Sequence, residues 1–526
     1  MLRSERSIRV RRRLARATHV ASGPYRLVAS TALGVVALAV LGAVMGPQWD
    51  PVPLEDPLPV TSTSTAIGDA PALKKYDVRT SVVDVRLDDG TTVQAQISEP
   101  VGLDGPAPGV VFVHGAGTGK YTIAFLAQAR ALAESGVVAM VPNKRLDTYT
   151  TRHRDYVQMA HDYDASVDVL RRHEGVDPDR VGVYAESEGG WIAPVMATID
   201  PRIGFVVLVS SPVVPPREQA AFAVDSYLRN TGVPQEVFRA IPRAVGMSLP
   251  GGGFEYADFD VTPYQRQLTQ PVLMVYGTGD ASMPVLQGAE QLIGDAAVNG
   301  DTEVTVRYYE GANHGIRVDG VVSATFLRDL SGWVLGLPAT ANAAPRVAGA
   351  TPEQTYVAAP VPEPRWLGDG DIVVGTVLGS VALLVLGPLL VLLARGAELV
   401  GPGRRRPVEQ RPRFAAGVPW RLTGLGAGAL ATVVGLAWYL VSIARLALDY
   451  ERNDWIVRGG WVAVRVLGVA AVVAAVLLMQ RVHELHVAER VAAGGVVRKL
   501  AFGAVAAGST VLLVVLAYWG VFQLGI

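Results

Sequence analysis

A serine, an aspartate and a histidine stand in this chain in turns that directly follow apolar runs, and as a set they are equipped for acyl transfer. The serine is Ser187. It lies in Val181-Gly-Val-Tyr-Ala-Glu-Ser-Glu-Gly-Gly-Trp191, where a β-type run from Val181 to Tyr184 meets a small-residue turn and then a helix-compatible run from Trp191 to Thr198. A hydroxyl on such a turn attacks a carbonyl only if a base takes its proton, an acid orients the base, and donors receive the charge growing on the carbonyl oxygen. Asp280 ends Val272-Leu-Met-Val-Tyr-Gly-Thr-Gly-Asp280, and His314 stands in Gly311-Ala-Asn-His-Gly315 after the run Glu303 to Tyr308. They are the candidates for orienting acid and general base. His114-Gly115-Ala116-Gly117, directly after the run Val110 to Val113, is the candidate oxyanion loop. There the backbone N–H of Ala116 would act with that of Glu188, and glycines keep side chains out of the substrate's way. One such donor is worth about 3 to 4 kcal/mol of transition-state stabilisation. His114 itself is read as structural, bonded to loop backbone.

From Val110 to His314 the chain resembles the α/β-hydrolases, and Ser187-Glu188-Gly189-Gly190-Trp191-Ile192-Ala193-Pro194 is similar to the Ser-Glu-Gly-Gly form of bacterial serine aminopeptidase-like and dienelactone-hydrolase-like esterases. In that superfamily the nucleophile sits on a strand-to-helix elbow, Gly-x-Ser-x-Gly, and the triad follows in the order Ser, Asp or Glu, His. The resemblance spans residues 80–336, roughly half the chain, and stops short of the apolar runs after Ile372. It implies Ser187 as nucleophile, His314 as base and Asp280 as its orienter. Members act on esters, thioesters and peptides, so it implies a mechanism rather than a substrate. Ala185 departs from the pattern, standing a methyl group larger where the first glycine belongs.

These residues need a scaffold that brings distant loops to one edge, and the patterning supplies one. Ser81 to Leu87 and Thr92 to Ser98, joined by Asp88-Asp89-Gly90, alternate like a hairpin. Val110 to Val113 and Val137 to Val141 are continuous apolar runs suited to strands covered on both faces. Helices are expected over Ile123 to Glu134 and Tyr156 to His173, and further apolar runs at Phe205 to Val209, Val272 to Tyr276, Ala289 to Leu292, Glu303 to Tyr308 and Ser323 to Leu335. This alternation predicts an α/β domain over residues 76–336 with a mostly parallel sheet and helices on both faces. The rhythm breaks over residues 211–270, which include the flexible Pro250-Gly-Gly-Gly253 and are read as a small lid over the C-terminal edge of the sheet.

The remainder of the chain has the texture of a membrane protein, since half of its 526 residues are hydrophobic. A basic segment, residues 1–26, precedes an apolar run from Leu27 to Met45, long enough to span the roughly 30 Å hydrocarbon core. It is read as an uncleaved anchor rather than a signal peptide, for want of a clean Ala-x-Ala site before Pro47. Four more runs follow within residues 371–526: Ile372 to Ala394, Leu422 to Ile443, Trp461 to Met479 and Ala501 to Phe522. Arginines load the first connection (Arg395, Arg404, Arg405, Arg406, Arg411, Arg413) and Arg481, Arg490, Arg498 and Lys499 the third, whereas Asp449 to Asp454 is mostly acidic. Positive loops stay inside, so the expected topology has the N-terminus in the cytoplasm and residues 50–371 outside. Pro/Thr/Ala-rich stretches at 46–75 and 337–370 read as exposed linkers. Arg445 and Arg465 lie near outer helix ends, where they can reach the interface.

Several chemistries are set aside. The chain has no cysteine, which removes thiol catalysis and Cys-ligated metals, and its net charge of -1 gives no field for nucleic acid. Gly115-Ala-Gly-Thr-Gly-Lys120 imitates a P-loop, but His114 stands where the first glycine belongs and Tyr121 where Ser or Thr would hold magnesium. His483-Glu-Leu-His486 is one residue too short for a His-Glu-x-x-His zinc helix and is read as an amphipathic surface helix on a cytoplasmic loop. No metal or organic cofactor is called for.

The expectation is a multi-pass, membrane-anchored serine hydrolase facing the cell exterior, acting on a small-molecule or lipid-like ester through an acyl-enzyme. Acyl transfer, peptidase or thioesterase action on the same three residues, and an inactive receptor or scaffold domain, are the alternatives. The partners expected are substrate and membrane lipids, and no oligomeric state is legible.

Overall fold

The computed structural model describes residues 24–300, 303–400, 411–448 and 451–523. The basic residues Arg3 to Arg16, the loop arginines Arg404, Arg405 and Arg406, and Asp449 lie outside the described residues. The chain forms two compact units, one of residues 50–227 and 252–361, the other of the segments up to 49, 228–251 and from 362 onward.

In the first unit nine strands form one sheet, in the order β1 (Asp77–Arg86), β2 (Thr92–Val101), β4 (Val138–Pro142), β3 (Ala107–Val113), β5 (Val176–Glu186), β6 (Val206–Val209), β7 (Val272–Gly277), β8 (Val304–Tyr309) and β11 (Val347–Gly349). The hairpin is β1 (Asp77–Arg86) and β2 (Thr92–Val101), paired antiparallel through Asp89-Gly90, whose glycine takes φ 87°. From β4 (Val138–Pro142) and β3 (Ala107–Val113) through β5 (Val176–Glu186), β6 (Val206–Val209), β7 (Val272–Gly277) and β8 (Val304–Tyr309) every pairing is parallel. All residues of β3, β4, β6, β7 and β8 are buried, as continuous apolar runs demand of strands covered on both faces. Alternate side chains divide the core. Val111, Val113, Val183, Leu208 and Met274 face helices α3 (Tyr156–Arg171), α4 (Gly189–Ile199) and α8 (Val285–Val298). Phe112, Tyr184, Val207 and Val275 face α2 (Leu126–Ser135) and α9 (Ala324–Gly336). The run Ala289 to Leu292 lies within α8.

Two stretches differ from their sequence reading as exposed linkers. Val347–Gly349 forms β11, buried and parallel to β8, and so covers what would be an open sheet edge. Leu54, Leu58 and Val60 pack on the core, and the Thr61 N–H donates to the Val347 carbonyl at 3.2 Å. Proline-rich sequence here is laid against the domain because its few apolar residues have a surface to cover.

In the second unit, among the described residues, five helices are long and apolar enough to cross a membrane: α1 (Pro24–Val44), α10 (Gly370–Val400), α11 (Val418–Leu448), α12 (Trp461–Val487, entered through the π-helix Trp455–Gly460) and α13 (Val496–Tyr518). His483 and His486 belong to the last turns of α12 rather than to a loop. Residues 228–251, part of the segment expected as a lid, fold with these helices. Their short helix α6 (Ala240–Val245) carries Arg243, fully buried, whose guanidinium donates to the carbonyls of Gly42 (3.1 Å), Gly46 (3.2 Å), Pro47 (3.1 Å) and Tyr518. These carbonyls lie at the C-terminal ends of α1 and α13, where helices run out of internal donors. Arg465 likewise has protein partners, Glu236 at 3.4 Å and the Gln523 carbonyl at 2.5 Å.

Candidate active site

Ser187 follows β5 directly and holds φ at 57°, a left-handed turn that a serine adopts only under constraint, and α4 begins two residues later. The Ser187 N–H donates to the Val209 carbonyl at 3.0 Å, and its own carbonyl accepts from the Gly190 N–H at 2.8 Å. Ala185 fits at the first position because Gly189 has no side chain: a Cβ there would stand 3.3 Å from the Ala185 methyl and 2.9 Å from the Val113 carbonyl oxygen. The oxyanion-loop candidate runs against this turn. A Cβ on Gly115 would meet the Ser187 Cβ at 3.0 Å and the Glu186 carbonyl at 3.1 Å, so only glycine allows the loop so near the serine.

Asp280, in the loop after β7, and His314, in the loop after β8, are paired. The His314 Nδ1 lies 2.8 Å from Asp280 Oδ2, with the carboxylate side chain wholly buried and the imidazole 27 % exposed. The other oxygen, Oδ1, accepts from the Ser282 hydroxyl at 2.6 Å and the Ser282 N–H at 3.0 Å. Ser282 Oγ is also 3.3 Å from His314 Nδ1, so Ser282, His314 and Asp280 make a candidate Ser–His–Asp arrangement. Burial pushes the His314 pKa down, but the Asp280 charge, their hydrogen bond and the Glu186 charge together carry it above the usual histidine value. Burial pushes Asp280 up, and the His314 charge with the hydrogen bonds from His314 and Ser282 brings it below the ordinary aspartate value. The pair therefore favours the charged forms of both partners, so the Asp280 carboxylate stabilises the imidazolium that His314 becomes once it takes up a proton. Among the described residues no hydrogen bond joins Ser187 Oγ to His314.

His114 is buried, its Nε2 2.7 Å from the Pro142 carbonyl and its Nδ1 3.1 Å from Thr118 Oγ1. A carbonyl can only accept, so Nε2 carries the hydrogen. Burial first, with the nearby Lys144 charge adding to it and the Pro142 bond opposing it, takes this imidazole down to about 4. It ties the loop to β4 as a neutral ring. Ala116 and Gly117 are exposed on the same loop.

Glu188 is the largest surprise of the site. Its buried carboxylate meets Lys144 Nζ (2.6 Å), Arg154 Nη1 (2.6 Å) and Tyr149 Oη (2.9 Å). Sequence reading missed this cluster and missed Ser282. Each left a signal: Asn143-Lys144-Arg145 puts cations directly after a buried strand, and Asp280-Ala281-Ser282 has the spacing of an Asx turn.

Strand order, elbow and paired loops together define an α/β-hydrolase-like fold carrying a candidate Ser–His–Asp site. Residues 161–319, which include Ser187, Asp280 and His314, match the family described as BAAT / Acyl-CoA thioester hydrolase C terminal. No curated protein sequence matches the chain. Among solved structures, one described as a dienelactone hydrolase from Klebsiella pneumoniae subsp. pneumoniae is 19 % identical with a TM-score of 0.36, over 51 % of this chain and 99 % of its own. The esterase domain of a Rhodothermus marinus protein is 16 % identical (TM-score 0.34; 50 % of this chain, 98 % of its own). A Mycobacterium tuberculosis puromycin-hydrolyzing peptidase is 20 % identical (TM-score 0.36; 53 % of this chain, 41 % of its own).

Proposed function

We propose that this chain is a membrane-anchored serine hydrolase of the serine aminopeptidase-like and dienelactone-hydrolase-like kind, cleaving a small-molecule or lipid-like carboxylic ester outside the cytoplasm. Ser187 is its nucleophile. The observation that carries the reading is the serine held at φ 57° on a strand-to-helix turn, beside a glycine loop, in a sheet whose loops after β7 and β8 pair Asp280 with His314. His314 Nε2 takes the Ser187 proton as Oγ attacks the carbonyl, while Nδ1–H stays on Asp280. The oxyanion falls to the N–H groups of Glu188 and Ala116. The imidazolium then protonates the leaving alcohol, and water, activated by the same nitrogen, releases the acid.

Ser282 is the competing serine, and its bonds argue for a different task. Its hydroxyl donates to the Asp280 Oδ1 and lies beside His314 Nδ1, the nitrogen already engaged by the carboxylate. A nucleophile is deprotonated through the other nitrogen, so Ser282 is read as part of the support for the acid. A fluorophosphonate probe separates the two. Ser187→Ala should abolish labelling and Ser282→Ala should retain it; labelling that survives the first change and is lost with the second would move the nucleophile to Ser282.

Thioester cleavage or acyl transfer to an acceptor alcohol is the second reading, favoured by the match of residues 161–319 to a family described by acyl-CoA thioester hydrolysis. Mass spectrometry of products formed at saturating acceptor distinguishes acyl transfer from hydrolysis.

A further inference from the structure

We infer that Lys144 is a positioning residue that clamps the two halves of the oxyanion-binding site to one another. The inference rests on the reading of Ser187 as nucleophile, and deepens it. Lys144 follows β4 by two residues, with its side chain only 1 % exposed. Its ammonium donates to the Gly115 carbonyl at 3.1 Å and to the Glu188 carboxylate at 2.6 Å, and it lies 3.9 Å from the centre of the Tyr149 ring. Gly115 and Glu188 are far apart in sequence and belong to different structures, a loop after β3 and the turn into α4. They are also the residues between which Ser187 stands. One peptide link beyond Gly115 is the N–H of Ala116, and the N–H of Glu188 is the other expected donor. A single buried cation therefore sets the spacing of both donors from behind, without touching substrate.

An oxyanion site must be built before the charge appears, because donors that have to swing into place lose their advantage. A loop and a helix turn joined only by packing have no reason to hold hydrogen-bond spacing to a few tenths of an ångström. The cation bond to Gly115 and the ion pair to Glu188 provide that reason, in a buried setting where charge-assisted bonds are strong. Arg154 holds the opposite oxygen of Glu188 at 2.6 Å, and stacks at 5.0 Å and 4.8 Å on Tyr149 and Tyr256. The carboxylate thus keeps a partner if Lys144 is lost, so loss of the clamp does not orphan a buried charge.

The test uses the full-length purified protein and an activated ester, with Ser187→Ala as the reference for enzyme identity. Lys144→Met should lower kcat by about 10² fold, the scale of losing one oxyanion donor. KM should change by less than about threefold, and affinity for a boronic acid, which forms a tetrahedral adduct, should fall in parallel with kcat. The acid limb of the pH profile, set by His314, should not move. Lys144→Arg should recover part of the loss. Should Lys144→Met fold poorly, Lys144→Met combined with Glu188→Gln removes both charges, and the same kcat and boronate losses are expected at a near-normal melting temperature. Wild-type kcat in a folded Lys144 variant, or a loss of kcat with unchanged boronate affinity, overturns the clamp while leaving the nucleophile intact. Full activity in Ser187→Ala overturns the nucleophile and the clamp with it.

Discussion

At the scale of single residues, the decisive chemistry is the balance of burial against partner charge at His314. Burial alone would favour the neutral ring, yet Asp280 and Glu186 together raise its pKa above the ordinary value near 6.5. A general base works only when unprotonated, so with His314 in its proposed role activity should be lost as pH falls through that raised value. The kcat/KM profile should therefore show an acid limb whose midpoint lies above about 6.5, falling about tenfold per unit below it. Asp280→Asn removes the largest raising influence and leaves burial in place. Its limb should move to lower pH while kcat drops by roughly 10³ to 10⁴ fold, measured by initial rates across pH. A limb that stays put would mean another group controls the rate.

At the scale of elements, the site is a set of strand ends, and what fixes each end is a contact the neighbouring element must permit. Ala185 illustrates it: the elbow tolerates a methyl where glycine is usual because Gly189, one helix turn away, yields the space. In the membrane unit the corresponding feature is Arg243. Its guanidinium closes the carbonyl ends of α1 and α13 and lies 4.8 Å over the Tyr518 ring, and burial takes its pKa down to about 10. Arg243→Met leaves those carbonyls without a donor, at about 1 to 3 kcal/mol for each that stays dry. The variant should lose several degrees of melting temperature in detergent, with Arg243→Lys intermediate because one ammonium cannot span the same fork of acceptors. An unchanged melting temperature would show that water replaces the clamp at no cost.

At the scale of the whole molecule, an α/β-hydrolase-like unit and a unit of long apolar helices share one chain, and residues 228–251 of the insertion between β6 and β7 fold with the helices. The proposed orientation puts residues 50–371 outside. The absence of cysteine makes this directly measurable, since a single introduced cysteine is then the only thiol in the chain. A cysteine at Asp104, in the exposed β2–β3 loop, should react with a membrane-impermeant maleimide on intact cells, and one at His483 only after permeabilisation. The reverse pattern would invert the topology and place hydrolysis in the cytoplasm.

Amino-acid order alone determined the alternation of apolar runs, the spans and the turns that hold Ser187, Asp280 and His314, because periodicity, span length and turn chemistry are local properties of a chain. Tertiary structure alone decided which residues share a surface. It made Val347–Gly349 a strand by offering it the edge of β8, gave residues 228–251 to the membrane helices, set Ser282 on the acid, and gathered Lys144, Arg154 and Tyr149 around Glu188. Cations after Val138–Pro142 and the spacing Asp280-Ala281-Ser282 were local hints, but neither names the partner that the folded chain supplies. A buried charge or a short strand is stable only against a partner far away in sequence, and which partner arrives is settled by the packing of the whole sheet.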